Sequence, residues 1–133
     1  MAQIQRNRPL YEQLMWRIKS QIVSGVLIIG EKLPSVREMA LIEKLNPNTV
    51  AKAYKALENQ NVIETVSGKG TFVRATDGFV IDEQLVASLQ QQLGEIIIEA
   101  RRASISAEEL HRWLDTGYSG YLNLQRRTHD TSH

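Results

Sequence analysis

Leu10, Leu14, Ile18 and Ile22 recur every four residues, with Tyr11, Met15 and Val23 beside them and polar residues between. A stripe of that period predicts an amphipathic helix over about 9–24. Pro9 stands at its start and Gly25 at its end, where each residue type is favoured. "SGVLIIGEKLP" then reads as a turn and a short extended piece. Ser35 with Glu38 three residues later forms a capping box, so a second helix begins there with Val36, Met39 and Ala40 facing inward. A third helix runs from Pro47 to about Gln60 on Val50, Ala53, Tyr54 and Leu57. In "VIETVSGKGTFVRA" the residues Val62, Ile63, Val66, Phe72 and Val73 are strand formers and "SGKG" is a turn, which together predict a β-hairpin. "TDG" at 76–78 marks a boundary. Beyond it a long periodic segment spans Asp82 to about Ala103, and a short one Ser106 to about Leu114. The end, "QRRTHDTSH", has no apolar residue and reads as a mobile tail.

The junction "NPNTV", residues 46–50, separates the second and third predicted helices sharply. Asn46 is a favoured N-cap and Pro47 a favoured first residue, so the preceding helix ends by about Leu45. Two helices joined by so short a turn make a helix-turn-helix. The second of them would begin with small polar side chains and outward N–H groups, suited to a phosphate or a base edge. A helical hairpin in any small bundle has the same local pattern.

Charge sharpens this picture. The formal net charge is only +1, but residues 1–75 hold 11 Lys/Arg against 6 Asp/Glu, and residues 76–133 hold 5 against 9. A basic front and an acidic back point to an anionic partner for the front alone. With no cysteine there is no disulfide framework and no thiolate chemistry. The N-terminus carries no apolar signal core, and the longest apolar runs are too short to span a bilayer. A cytoplasmic protein is expected.

Helix, helix, turn, helix, hairpin is the order of a winged helix-turn-helix, which lays its third helix in the major groove of DNA and its wing on the neighbouring backbone. Lys52 and Lys55 fall on the outward side of the third helix. At the wing tip Lys69 sits between Gly68 and Gly70, which let the backbone come close to a groove. The stretches "LPSVREMA", "NPNTV…AY…LE" and "GKGTFV" within residues 9–73 resemble the DNA-binding domain of the GntR family of bacterial repressors, and its YtrA subfamily in particular. The resemblance implies a sequence-specific repressor of double-stranded DNA. It places Arg37 at the arginine of the family's "S-x-R-E" element, beside Ser35, and Gly68 at the wing-tip glycine. Two arginine positions used by some members are Pro47 and Ala51 here, which shifts base reading to Asn48, Thr49 and Lys52. Lys44 stands where a turn glycine is common and Glu43 where an apolar residue is common, leaving Ile42 to pack in its place. Larger branches of the family carry a ligand domain of well over a hundred residues. The two helices expected here are similar to the YtrA pattern, in which they mainly dimerise the protein.

The expected architecture is therefore α+β and mainly α: a winged helix-turn-helix over 1–75, a two-helix dimerisation segment over 76–124 and a tail over 125–133. Ile81, Leu85, Leu89, Leu93, Ile96, Ile97 and Ala100 repeat at three to four residues, with Val86 and Ile98 widening the stripe. So small a domain cannot cover this stripe and also Leu110, Trp113 and Leu114, and a second copy is the economical cover. A homodimer also suits the two half-sites of a near-palindrome. Enzymatic readings fail on spacing. "SGKGT" lacks the glycine pattern of a phosphate loop. His111, His129 and His133 pair with no carboxylate at metal spacing, and no nucleophile stands beside a base. No cofactor or metal is expected, and no effector is named by the residues. The competing reading is a winged-helix module for protein contact without sequence-specific DNA binding.

Overall fold

The structure, a computed structural model, describes residues 8–75 and 82–131, with side chains as far as residue 119. Its elements are helices α1 (Leu10–Val23), α2 (Val36–Glu43) and α3 (Pro47–Asn59), strands β1 (Ile63–Val66) and β2 (Gly70–Val73), then helices α4 (Glu83–Arg102) and α5 (Ala107–Thr131). They fall into two compact units, the first with α1 to β2 and the second with α4 and α5 as far as Asn123. The "TDG" boundary and Ile81 lie outside the described residues.

In the first unit α3 is the hub, packing on α1, α2 and β1. The stripe residues meet as expected: Leu14 and Ile18 of α1 close over Val50 and Leu57 of α3, with Ile63 and Val73 of the hairpin completing the fully buried set. Each such aliphatic side chain contributes about 1.5–3 kcal/mol by leaving water. Met39 and Ala40 are buried, and Val36 packs at the margin. Leu10 and Val23 depart from the stripe. Both are exposed; Val23 lies across the helix from Leu14, while its neighbours Ile22 and Ser24 stay packed.

Two turns use conformations that the side chains do not advertise. α2 stops at Lys44, whose φ of 56° is left-handed, and the N–H groups of Lys44 and Leu45 both return to the Ala40 carbonyl. Lys44 thus does a glycine's task at a cost of roughly 1 kcal/mol. Leu45, not Ile42, packs against the core there, and Ile42 is exposed. After α3, Asn61 takes φ 61° and accepts from Arg74 at 2.7 Å, so the chain turns directly into β1.

The hairpin pairs Ile63 with Val73 and Val66 with Gly70, leaving Ser67, Gly68 and Lys69 as the loop. The extended piece after α1 joins its other edge. Gly30 and Leu33 donate to the carbonyls of Val73 and Thr71, each at 2.8 Å, and Val73 donates to Glu31 at 2.9 Å. The wing root therefore has three strand-like segments.

In the second unit Asp82 caps α4, its Oδ1 accepting from the N–H groups of Gln84 and Leu85. The chain reverses at Ser104, φ 60°, and Ser106 Oγ receives the Glu109 N–H at 3.1 Å to open α5. α5 continues to Thr131, well past Leu114, and so takes in most of the stretch expected as a tail. Tyr118, Tyr121 and Leu122 continue the spacing of Leu110 and Leu114, and residues 115–131 hold no proline to stop the helix. No helix among the described residues is long and apolar enough to cross a membrane.

Candidate nucleic-acid interface

The capping box at Ser35 forms in both directions. Ser35 Oγ accepts from the Glu38 N–H at 3.1 Å, and Glu38 Oε1 accepts from the Ser35 N–H at 3.3 Å. These bonds hold the Glu38 carboxyl below its ordinary range, with the Ser35 hydroxyl as the largest cause. Ser35 is thus first the cap that starts α2. The N–H groups of Val36 and Arg37 have no partner among the described residues, and neither does the exposed Arg37 guanidinium. The start of α2 is therefore a polar surface with donors to spare, in the field of a helix N-terminus.

The same start is pinned to α3. Tyr54, buried in the core, donates its hydroxyl to the Pro34 carbonyl at 2.7 Å. Burial, and secondarily the Glu38 charge, push the phenol up to about 12. Arg17 of α1 pairs with Glu43 at the far end of α2. Both ends of α2 are fixed before any ligand arrives.

At the start of α3 the structure corrects the expectation of outward N–H groups. Pro47 has none. Asn46 Oδ1 accepts from the Asn48 N–H at 2.8 Å, and the Asn46 carbonyl accepts from Thr49 at 3.0 Å and Val50 at 3.2 Å. The cap expected at Asn46 is formed, and it consumes the donors. What α3 presents is side chains. Asn48, Lys52 and Lys55 lie at i, i+4 and i+7, all exposed, opposite the buried Val50, Ala53, Tyr54 and Leu57. Thr49 is half-buried at the flank of this face.

Lys52 is not a free cation. Its Nζ lies 4.3 Å from the centre of the Tyr11 ring, joining α3 to the start of α1. Sequence periodicity assigns Tyr11 to the core and gives no sign of this contact, because the two residues are distant in the chain and only the fold brings them together. On the same helix Trp16 sits under both Arg8, at 5.4 Å, and Lys19, at 4.7 Å. Part of the basic excess of residues 1–75 is thus held against aromatic faces. Lys55 and Lys69 have no ion-pair partner among the described residues.

The wing tip has the expected form. Gly68 has φ 77° and Gly70 φ 123°, both left-handed, with open space around Gly68 and the Lys32 side chain lying against Gly70. Lys69 projects from the loop between them, exposed, its N–H returned to Val66 at 3.0 Å.

The residues expected to dimerise, Leu85, Leu89, Leu93, Ile96 and Ile97, are all exposed on α4, as are Trp113, Leu114 and Tyr118 on α5. Ala100 is the one buried hydrophobic residue described in this unit.

Comparison with known proteins agrees with this geometry. The profile described as bacterial regulatory proteins, gntR family, matches residues 10–73. The chain is 42% identical over 106 residues to the HTH-type transcriptional repressor YtrA of Bacillus subtilis, covering 80% of this chain and 82% of that protein. A solved structure described as a transcriptional antiterminator from Listeria monocytogenes EGD-e superposes with a TM-score of 0.79 at 42% identity, over 85% of this chain and 84% of that one. A GntR family transcriptional regulator from Listeria monocytogenes gives 0.63 at 34% identity, over 83% and 96%. The similarity extends past the winged unit into α4 and α5, and on both counts the chain belongs to the GntR family of bacterial regulatory proteins, within its YtrA subfamily.

Proposed function

We propose that this chain is a transcriptional repressor that grips a near-palindromic DNA operator as a homodimer. In each copy α3 enters a major groove, the start of α2 and the wing hold the flanking phosphates, and α4 meets its counterpart. The observation that carries the reading is the outer face of α3, where Asn48, Lys52 and Lys55 are exposed in a row while every backbone donor of the first turn is already satisfied. Such a face reads bases through side chains. Lys69 supplies a sequence-independent grip, and Arg37 adds a base contact beside α3.

Dimerisation rests on the exposed stripe of α4. Five large apolar side chains stand at helical spacing with their surfaces open, an arrangement that isolated soluble chains avoid and that a second copy would cover.

The test is recovery and sequencing of the DNA held by the protein, followed by a salt titration on the recovered sequence and on random duplex. A repressor of this type enriches a two-fold symmetric site and loses affinity steeply with salt on both DNAs, with a constant advantage for the symmetric one. Enrichment of no sequence, with a flat salt dependence, would favour a protein-contact module.

A further inference from the structure

Within the second unit, α4, the Ser104 turn and α5 enclose an open-sided cleft of about 650 Å³. Its floor is Ile96, Ala100, Ile105 and the half-exposed ring of Trp113, and Glu95 and Glu99 stand at its rim. That volume is in the range of small-molecule sites, and so is the combination of an apolar floor with a few polar groups.

The charges choose the ligand. Glu99 is held by Arg102 at 2.8 Å, and Glu109 is held by Arg112. Glu95 has no hydrogen-bond or ion-pair partner among the described residues. The Trp113 indole N–H donates to Glu109 Oε1 at 2.9 Å, which fixes the ring. Residues 82–119 carry seven Asp/Glu against three Lys/Arg. A cation with an apolar body meets attraction at each point: a carboxylate without a counter-ion, an indole face and a greasy floor. Of the stripe offered to a second copy only Ile96 also lines the cleft; Leu85, Leu89, Leu93 and Ile97 lie outside the lining and are left to that contact.

We propose that the cleft between α4 and α5 binds a small amphiphilic organic cation, its apolar body on Ile96, Ala100 and Ile105 and its positive centre between Glu95 and Trp113. The site is independent of the DNA-reading surface and stands whether or not the chain represses.

Tetraphenylphosphonium and tetraphenylborate test it, having nearly the same shape and opposite charge. The 133-residue chain is used with Trp16→Phe, which leaves Trp113 as its single indole. The phosphonium should quench Trp113 saturably, and the borate should bind at least about tenfold more weakly. Glu95→Gln should weaken the phosphonium about fivefold with an unchanged sedimentation coefficient. Calorimetry on the unsubstituted chain should give the same order of affinities. Equal binding of both ions, absence of binding, or indifference to Glu95→Gln would each overturn the proposal. Binding seen only in a monomeric Leu89→Glu chain would overturn it too, because the cleft would then belong to the second copy. DNA binding measured without either ion reports on the repressor reading alone.

Discussion

The Tyr54 hydroxyl of α3 donates to the carbonyl of Pro34, the residue before the cap of α2, at 2.7 Å. One bond thus ties the helix that reads DNA in our proposal to the helix start that presents Arg37. Tyr54→Phe leaves the Pro34 carbonyl without its partner and should cost about 1 kcal/mol near neutral pH. The phenol is pushed up from its ordinary 10.0 to about 12 by burial. Its neutral form is therefore favoured by folding, so its contribution is complete below pH 10 and is lost as pH rises from there toward 12. Denaturant melts of both proteins should show the gap between them closing over that window. A gap constant to pH 12 would mean that the phenol is no harder to ionise when folded.

Arg37→Ala should weaken operator binding by about 1–3 kcal/mol if the guanidinium grips a base, with the melting temperature nearly unchanged. Its side chain has no partner among the described residues to lose. Lys69→Ala is the contrast: it should weaken every duplex alike and reduce the salt slope by about one ion per subunit. Equal loss of binding and of stability in the Arg37 variant would make that residue structural.

Lys44→Gly should stabilise the first unit by roughly 0.5–1 kcal/mol, since Lys44 holds a left-handed φ of 56° that glycine adopts without strain. Thermal melts decide this. A destabilised Lys44→Gly protein would show that the lysine side chain makes an offsetting contribution.

Leu89→Glu should yield a monomer. A carboxylate buried without a partner in a helix interface is strongly unfavourable. The winged unit should still fold, because its core of Leu14, Ile18, Val50 and Leu57 contains no residue of α4. Operator affinity should collapse as the gain from linking two readers disappears, while weak binding to random duplex survives. A Leu89→Glu protein that sediments as a dimer and binds normally would place the interface elsewhere.

What could be read from the residues alone follows the range of the forces involved. The Ser35–Glu38 box, the Asn46 cap with Pro47 behind it and the hairpin around "SGKG" are local devices, and all three stand where the sequence puts them. The identity of the buried face of α3 was also legible, because four apolar residues at helical spacing leave little choice. Periodicity gives the middle of a buried face better than its edges, and Leu10, Val23 and Ile42 at those edges are exposed while Ile22 and Leu45 pack. The end of α5 expected at about Leu114 falls short of Thr131, because a helix without proline continues past its most apolar turns. The Lys52–Tyr11 contact and the left-handed Lys44 depend on the assembled fold, and no neighbouring residue announces either.

The start of α3 separates two tasks that many helices combine. Asn46 and Pro47 secure its first turn, and the outward Asn48 side chain that follows makes no hydrogen bond among the described residues. In the proposed reading, exchange of Asn48 therefore changes which DNA is preferred while leaving the scaffold alone. Duplicated copies of such a gene can drift to new operators one substitution at a time, with no intermediate that fails to fold. The same separation makes this helix a convenient place to install a chosen specificity by design, provided that Asn46 and Pro47 stay fixed.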